Sequence, residues 1–297
     1  MRLVTSLSEI RSLTLDLRKS AATVGLVPTM GALHEGHLSL VRRAKSDGGA
    51  LVVSIFVNPT QFGPSEDYTR YPRSLDRDCE ALASLNPEIV FAPDASAMYP
   101  DGFETYVTPG SVAERFEGAV RPGHFRGVAT VVLKLLNLVS PEMAYFGQKD
   151  FQQAAVLRRM MTDLNLGTRV VICPTLREPD GLALSSRNAY LGPEDRRSAA
   201  VLYRSLSRAR ELFHGGEARE DLLAAAMRAV LEAEPRAKID YAAVVKPDTL
   251  EPPGRVTPGC VALVAARVGP PRLIDNVILG PAGASDEELI KLAITSS

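Results

Sequence analysis

The first half of the chain alternates short runs of β-branched residues with amphipathic segments, which is the pattern of βαβ units around a parallel sheet. The run at 51–58 constrains the fold most. Val52, Val53, Ile55, Phe56 and Val57 make it apolar almost without a break. A strand of this kind is covered by helices on both faces. The sequence therefore predicts an α/β fold with a Rossmann-like, doubly wound parallel sheet.

The domain organisation follows from a change of pattern near residue 176. The predicted strands before it are 23–28, 51–58, 88–92, 143–147 and 169–174, and the predicted helices are 36–46, 74–85, 128–139 and 151–163. After it come helical stretches at 193–214 and 218–234, strands at 239–245, 261–268 and 272–279, and a closing helix at 285–293. We predict a Rossmann-like nucleotide-binding domain at 1–176 and a smaller α+β lid domain at 177–297.

Composition narrows the class of partner. A formal net charge of −1 provides no field that would draw the molecule to nucleic acid or an anionic membrane. Cys79, Cys173 and Cys260 lie far apart, without the paired spacing of a zinc or dithiol site. No stretch approaches the roughly 20 apolar residues of a membrane span. We expect a cytoplasmic protein that acts on small molecules, with no nucleic-acid or membrane partner.

Ligands of doubly wound sheets bind beyond the carboxyl ends of the strands. Three predicted strand ends carry polar loops, and we expect these loops to converge: Pro28-Thr29-Met30, Asn58-Pro59-Thr60-Gln61 and Gly147-Gln148-Lys149-Asp150.

The strongest candidate site is the segment Met30-Gly31-Ala32-Leu33-His34-Glu35-Gly36-His37. A spacing of three at a helix start places both imidazoles on one face. Free backbone amides and the helix dipole at the same end favour a polyphosphate. The alternatives are two surface histidines or a metal site, although a zincin helix needs its histidines four apart. The position at a strand end favours ATP.

Three other segments are less specific. Lys149 could reach ATP phosphates, although Lys and Asp also occupy helix starts as solvated residues. Leu184-Ser185-Ser186-Arg187 offers two hydroxyls and a guanidinium to a triphosphate, or is an ordinary polar linker. The loop 121–127 could meet an anion or serve as a rigid connection. Asp76 and Asp78 could approach magnesium or simply favour the helix dipole.

Taken in order, these segments resemble the pantothenate synthetase family, the pantoate–β-alanine ligases. The resemblance covers 27–37, 58–63, 121–127, 147–153 and 174–188. The histidine motif alone is shared by a wide nucleotidyltransferase superfamily, whereas the ordered set is specific. Two departures are visible: Gln148 stands where the family usually has Glu, and Leu184 stands where Met is frequent.

The resemblance implies condensation of pantoate with β-alanine, while ATP is converted to AMP and pyrophosphate through a pantoyl adenylate. It implies that His34 and His37 contact the phosphates, with His37 as proton donor. Lys149 and the Ser185-Ser186-Arg187 turn would hold the triphosphate. The predicted catalytic residues are therefore His37, His34, Lys149 and Arg187.

The remaining site residues are also carried over from the resemblance. Gln61 and Gln153 would bind pantoate. Met30, Gly147, Asp150 and Leu176 would line the nucleotide pocket, together with Gln148 and Leu184, and Asp150 would contact the ribose. The family further implies Mg²⁺ with ATP, and a homodimer.

Three other functions use similar residues. Another small-molecule adenylyltransferase would need a phosphate pocket for its second substrate, and the paired glutamines favour a hydroxy acid instead. An aminoacyl-tRNA synthetase normally carries domains for a large polyanion. A non-catalytic ATP-binding protein would retain the nucleotide without turnover.

Overall fold

The computed structural model describes residues 1–21, 23–64 and 66–295. By their internal contacts these residues divide into two compact units. The first comprises Met1–Gly147 and Gln152–Cys173, and the second comprises Gln148–Phe151 and the chain from Pro174 onward. The chain therefore passes from one unit to the other three times. The assignment of 1–176 to a binding domain and of 177–297 to a lid stays a prediction.

The first unit is a six-stranded parallel sheet with helices. Its strands are β1 (Arg2–Val4), β2 (Val24–Thr29), β3 (Ala50–Ile55), β4 (Ile89–Phe91), β5 (Met143–Gly147) and β6 (Arg169–Cys173). Its helices are α1 (Leu7–Ser20), α2 (Glu35–Asp47), α3 (Leu75–Ala83), α4 (Ala95–Met98), α5 (Glu117–Val120), α6 (His124–Val139) and α7 (Phe151–Asp163). The strand order β1-β4-β3-β2-β5-β6 confirms the predicted α/β class. The sequence missed β1, because its three residues include a single buried one.

Strand β3 shows why the sheet has two covered faces. Val52 belongs to the hydrophobic cluster that includes buried residues of α1, α6 and α7. Leu51 and Val53 belong to the other cluster, with buried residues of α2 and α3. Successive side chains of a strand point to opposite faces, so a nearly unbroken apolar run is buried on both sides.

The sheet opens at the position where its strand order reverses. Strands β2 and β3 pair over six positions, and β5 and β6 pair over five. Between them, β2 pairs with β5 only at Gly25↔Met143 and Leu26↔Ala144. The ladder therefore stops before the carboxyl ends of β2 and β5, and this is where a doubly wound sheet forms its ligand crevice.

The second unit is α+β, as predicted. Its antiparallel sheet has the order β7 (Ala237–Val245), β8 (Val261–Val268), β9 (Arg272–Ile278). Its helices are α8 (Pro193–Ala199), α9 (Val201–His214), α10 (Glu220–Glu232) and α11 (Asp286–Thr295). The helical stretch predicted at 193–214 is two helices, because Ala200, with ψ of −12°, interrupts the α-helical pattern between them. Within the described ranges, no helix has the length and apolar character needed to cross a membrane.

Candidate active site

The two histidines of the 30–37 segment cap helix α2. His34 is the N-cap residue, and its Nδ1 accepts the Gly36 N–H at 3.2 Å. His37 Nδ1 accepts the His34 N–H at 3.4 Å, which completes a reciprocal capping box. The ring centroids lie 4.1 Å apart. Because both Nδ1 atoms accept, each neutral ring carries its proton on Nε2, and two N–H donors stand at one helix N-terminus.

A buried carboxylate holds the loop that leads to these histidines. Asp78, only 4% exposed, accepts the Ala32 N–H at 3.0 Å and the Leu33 N–H at 2.8 Å. Gly31 and Ala32 both have positive φ, +80° and +51°, and a Cβ on Gly31 would lie 2.8 Å from Asp78 Oδ2. Burial raises the pKa of Asp78, and the two amides partly offset that effect. Asp78 therefore fixes the approach to the helix terminus.

Gln61 is placed by the turn that follows β3. The 3₁₀ turn Pro59–Gln61 is capped by Asn58, whose Oδ1 accepts the Thr60 N–H. Asn58 Nδ2 donates to Gln61 Oε1 at 3.0 Å and to the Gly127 carbonyl at 3.1 Å. Gln61 Nε2 lies 3.0 Å from Met30 Sδ. The loops after β2 and β3 therefore meet, as the sequence predicted.

The 121–127 segment, whose last four residues begin helix α6, is a rigid support for this turn. Arg121 forms a bidentate ion pair with Glu66 at 2.6 and 2.7 Å and also donates to His124 Nε2. His124 therefore carries its proton on Nδ1, which donates to the Gln61 carbonyl at 2.8 Å. Burial, with the neighbouring Arg121 charge, lowers the pKa of His124 to about 4. Burial opposes ionisation of Glu66, but Arg121 holds the pKa of that carboxyl below its usual range.

The neighbouring glutamines on α7 have different surroundings. Gln152 is buried; its amide donates to the Val112 and Arg115 carbonyls, and its Oε1 accepts the Glu117 N–H. Gln153 is half-buried, and its side-chain amide has no hydrogen-bond partner among the described residues. Gln152 therefore supports the 112–117 segment, whereas Gln153 can accept and donate to a ligand.

In the second unit, the turn Gln148–Asp150 is held by Asn276 of β9. Asn276 Nδ2 donates to the Gln148 and Lys149 carbonyls, both at 2.9 Å. Its Oδ1 accepts from Gln148 Nε2 at 3.1 Å. Lys149 Nζ lies 3.6 Å from Asp150 Oδ1, and the lysine side chain is 22% exposed.

The other predicted nucleotide residues of this unit lie at the end of a short hairpin. The Leu184 N–H donates to the Leu176 carbonyl at 2.9 Å, so these two residues are neighbours. Ser185 caps the 3₁₀ turn Ser186–Tyr190, and its Oγ accepts the Arg187 N–H at 3.3 Å. The structure therefore brings Leu176, Leu184 and the Ser185–Arg187 segment together.

Gly147 and Glu35 are predicted nucleotide residues that offer few side-chain groups to a ligand, because glycine has no side chain and the Glu35 carboxylate is paired. An added Cβ on Gly147 would meet no atom within 4 Å. The exposed Glu35 carboxylate pairs with Arg42.

Sequence reasoning missed the residues that support this site. The Asn-Pro-Thr sequence at 58–60 is a readable signal for the capped turn. Asn276 gives no such signal, because its partners Gln148 and Lys149 lie 128 and 127 residues away. The sequence allows Asp78 to approach magnesium, but each of its carboxylate oxygens accepts a backbone N–H.

Known proteins are similar to this chain over nearly all of its length. The family model described as pantoate-beta-alanine ligase matches residues 2–278. The chain belongs to the pantoate–β-alanine ligase family. Curated members similar to it include the pantothenate synthetases of Roseiflexus sp. (strain RS-1), 56% identical over 94% of this chain and 99% of that protein, and of Thermotoga neapolitana, 51% identical over 94% and 100%.

Solved structures of pantoate–β-alanine ligases show the same fold. The pantothenate synthetase of Thermus thermophilus is 49% identical, covers 95% of this chain and 100% of its own, and superimposes with a TM-score of 0.90. The Francisella tularensis ligase, solved with beta-gamma ATP and beta-alanine, is 36% identical over 94% and 97% of the chains, with a TM-score of 0.78. The family and fold implied by the sequence motifs are confirmed.

Proposed function

We propose that the chain catalyses the ATP-dependent condensation of pantoate with β-alanine to pantothenate, through a pantoyl adenylate. The observation that carries this proposal is the histidine pair at the N-terminus of α2, whose Nδ1 atoms accept backbone N–H groups, so that each ring carries its proton on Nε2. Family membership and the Francisella ligase with beta-gamma ATP and beta-alanine support the choice of substrates.

The reaction has two displacement steps. A pantoate carboxylate oxygen attacks the α-phosphorus of ATP, and the bond to the bridging oxygen breaks, so that pyrophosphate leaves with the electron pair. The amine of β-alanine then attacks the acyl carbon, loses a proton, and displaces AMP. The first step gathers negative charge on the phosphates, which calls for preorganised donors rather than a protein nucleophile.

The histidines and the lysine stabilise the negative charge on the phosphates. His34 and His37 donate hydrogen bonds to the phosphates, with the Nε2–H of His37 directed at the departing pyrophosphate. Lys149 and Arg187 bind the triphosphate as cations, with the Ser185 and Ser186 hydroxyls beside them. One such donor contributes about 3 kcal/mol to lowering a barrier of this kind.

The other nucleotide contacts come from backbone and apolar groups. The 30–37 loop offers its amides, with Gly31 and Gly36 allowing close approach, and Asp150 contacts the ribose. The remaining residues that we assign to the nucleotide are Met30, Ala32, Leu33, Glu35, Gly147, Gln148, Leu176 and Leu184.

Gln61 and Gln153 bind pantoate in this scheme. Amides bind hydroxyl and carboxylate oxygens without adding charge. Gln153 has an amide that pairs with no described residue, and Gln61 is held in place by Asn58 and His124. One glutamine is therefore preorganised and the other is available to the substrate.

We propose that Mg²⁺ arrives as the ATP complex, in which it is held mainly by phosphate oxygens and water. The described residues contain no group of three His, Cys, Asp or Glu side chains suited to a metal. Asp78 accepts hydrogen bonds from two backbone N–H groups, which argues against that carboxylate as a metal ligand. We assign no protein ligand to the ion and no step to it.

The decisive experiment is mass spectrometry of products from the purified protein with ATP, magnesium and pantoate, with and without β-alanine. We expect pantoyl adenylate and pyrophosphate without β-alanine, and pantothenate and AMP with it. A stable dinucleotide would indicate a different adenylyltransferase, and ATP binding without any product would refute catalysis.

Two further parts of the proposal concern the state of the protein. We propose a homodimer, which light scattering after size-exclusion chromatography tests directly. We also propose a cytoplasmic location, where ATP is supplied, and fractionation of cells that carry a tagged chain tests it.

A further inference from the structure

A single buried side chain of β9 holds the turn that carries Lys149. Asn276 is 1% exposed, and its amide makes three hydrogen bonds to Gln148 and Lys149, all between 2.9 and 3.1 Å. Both Nδ2 hydrogens go to main-chain carbonyls of this turn. The backbone of Lys149 is thereby fixed at the point where its side chain begins.

The residue before Asn276 holds a second segment of the candidate nucleotide site. Asp275 is 4% exposed and forms a bidentate ion pair with Arg177 at 2.6 and 3.0 Å. Arg177 also donates to the Asn276 and Gly181 carbonyls. It lies in the hairpin that leads to Leu184 and Ser185. Two consecutive residues of β9 therefore hold both the turn Gln148–Asp150, the lysine turn, and this hairpin.

We infer that Asn276 is a positioning residue for Lys149: it fixes the lysine backbone so that the ammonium group is preorganised for the phosphates of ATP. The inference rests on the proposed function for its chemical consequence. Its structural part concerns the side-chain order of Lys149 and is independent of any substrate.

The magnitude follows from the cost of misplacing a charged group. A shift of about 1 Å in a reacting or stabilising group can cost about a hundredfold in rate. Without the Asn276 amide, the Gln148 and Lys149 carbonyls lose their side-chain donor, and the turn can relax by distances of that order. We expect Asn276→Ala to lower the rate of pyrophosphate release from ATP and pantoate by roughly 10- to 100-fold.

A double-mutant cycle tests whether Asn276 acts through Lys149. The variants are Asn276→Ala, Lys149→Ala and the double variant, assayed for pyrophosphate release without β-alanine. If Asn276 works by placing the lysine, the double variant is no slower than Lys149→Ala alone. If the two losses multiply, the positioning role is refuted.

The control for lost stability is Val277→Ala, on the same strand and also buried. It creates a cavity in the hydrophobic core of the second unit, and the apolar valine side chain forms none of the hydrogen bonds to the turn. We expect Val277→Ala to lower the melting temperature and leave the turnover of folded protein close to wild type. If it slows turnover as much as Asn276→Ala, general loosening explains the effect and the inference fails.

A second measurement needs no activity. Limited labelling with an amine-reactive reagent, read by peptide mass spectrometry, reports the accessibility of Lys149 relative to Lys45, an internal reference in the first unit. We expect Asn276→Ala to increase labelling of Lys149 several-fold and Val277→Ala to leave it unchanged. Equal labelling of Lys149 in wild type and Asn276→Ala overturns the inference, even if the proposed reaction is observed.

If Asn276→Ala does not fold, Asn276→Asp replaces it in both experiments. The aspartate keeps the acceptor for Gln148 Nε2 and removes both donors to the carbonyls. Should the wild-type protein form no adenylate, the labelling experiment still decides the positioning role, and only the proposed function is lost.

Discussion

Replacing Gly127 by alanine would drive a methyl group into the turn that carries Gln61. Gly127 lies in helix α6, and a Cβ at this position would stand 2.3 Å from the Thr60 carbonyl oxygen and 2.6 Å from the Gln61 nitrogen. Carbon–oxygen contacts in proteins are about 3.3 Å, so the turn must move by about 1 Å. Both atoms belong to the backbone, so a change of side-chain rotamer cannot relieve the contact.

That displacement should weaken the binding of pantoate more than the binding of ATP. Misplacing a substrate-binding group by about 1 Å can cost about a hundredfold, or about 2.7 kcal/mol. Overpacking costs about 1–3 kcal/mol of stability, partly offset by about 1 kcal/mol from the better helix propensity of alanine. We therefore expect a folded protein with a modestly lower melting temperature and a strongly reduced affinity for pantoate.

Isothermal titration with pantoate and with ATP, beside a thermal melt, measures these effects. Gly167→Ala is the matched control, because Gly167 is exposed and its added Cβ would meet no atom within 4 Å. Wild-type pantoate affinity in folded Gly127→Ala would refute the reasoning, as would equal losses for pantoate and ATP.

Three other predictions follow from the site. His34→Asn keeps an N-cap acceptor for the Gly36 N–H but removes the Nε2 donor, so pyrophosphate release should fall about a hundredfold with little change in melting temperature; a melting temperature well below wild type would contradict this separation. Gln153→Ala should weaken the binding of pantoate far more than the binding of ATP in titrations. Gln152→Ala should instead lower the free energy of unfolding in urea by about 2–4 kcal/mol, because the Val112, Arg115 and Glu117 backbone groups lose their hydrogen-bond partner. If Gln152→Ala weakened pantoate binding and Gln153→Ala lowered stability, the two roles would be reversed. The pKa of His124 in the folded protein, about 4, lies below its ordinary value of 6.5, so its contribution to stability is present above pH 6.5 and is lost as the pH falls towards 4. We expect the free energy of unfolding to fall by about 3 kcal/mol across that window. Urea melts of His124→Gln should lack this dependence of stability on pH.

Elements that depend on local pattern were predicted well. The apolar run of β3 indicated burial on both faces, and its residues divide between two hydrophobic clusters as a doubly wound sheet requires. Helix α2 was predicted to begin at residue 36 and begins at Glu35. The difference arises because its N-cap is histidine, which is outside the usual set of Ser, Thr, Asp and Asn.

Supporting residues escaped prediction because their partners are distant in the sequence. The sequence of 121–127 is compatible with either anion binding or a rigid connection, because the Glu66 carboxylate that engages Arg121 lies 55 residues away. The Asn276 amide is further still from the lysine turn. Periodicity predicts which segments form strands, but it does not tell which side chain of a strand will hold a loop.

The passage of the chain between its two units has a consequence for synthesis. The bond from Asn276 to the Lys149 carbonyl joins residues 127 positions apart. At a ribosomal rate of about 5–20 residues per second, β9 follows the lysine turn by about 6–25 s. Within that interval the last strand of the parallel sheet is completed, whereas the turn between β5 and α7 still lacks its restraint. An ordered lysine is therefore one of the last features that the nascent chain acquires.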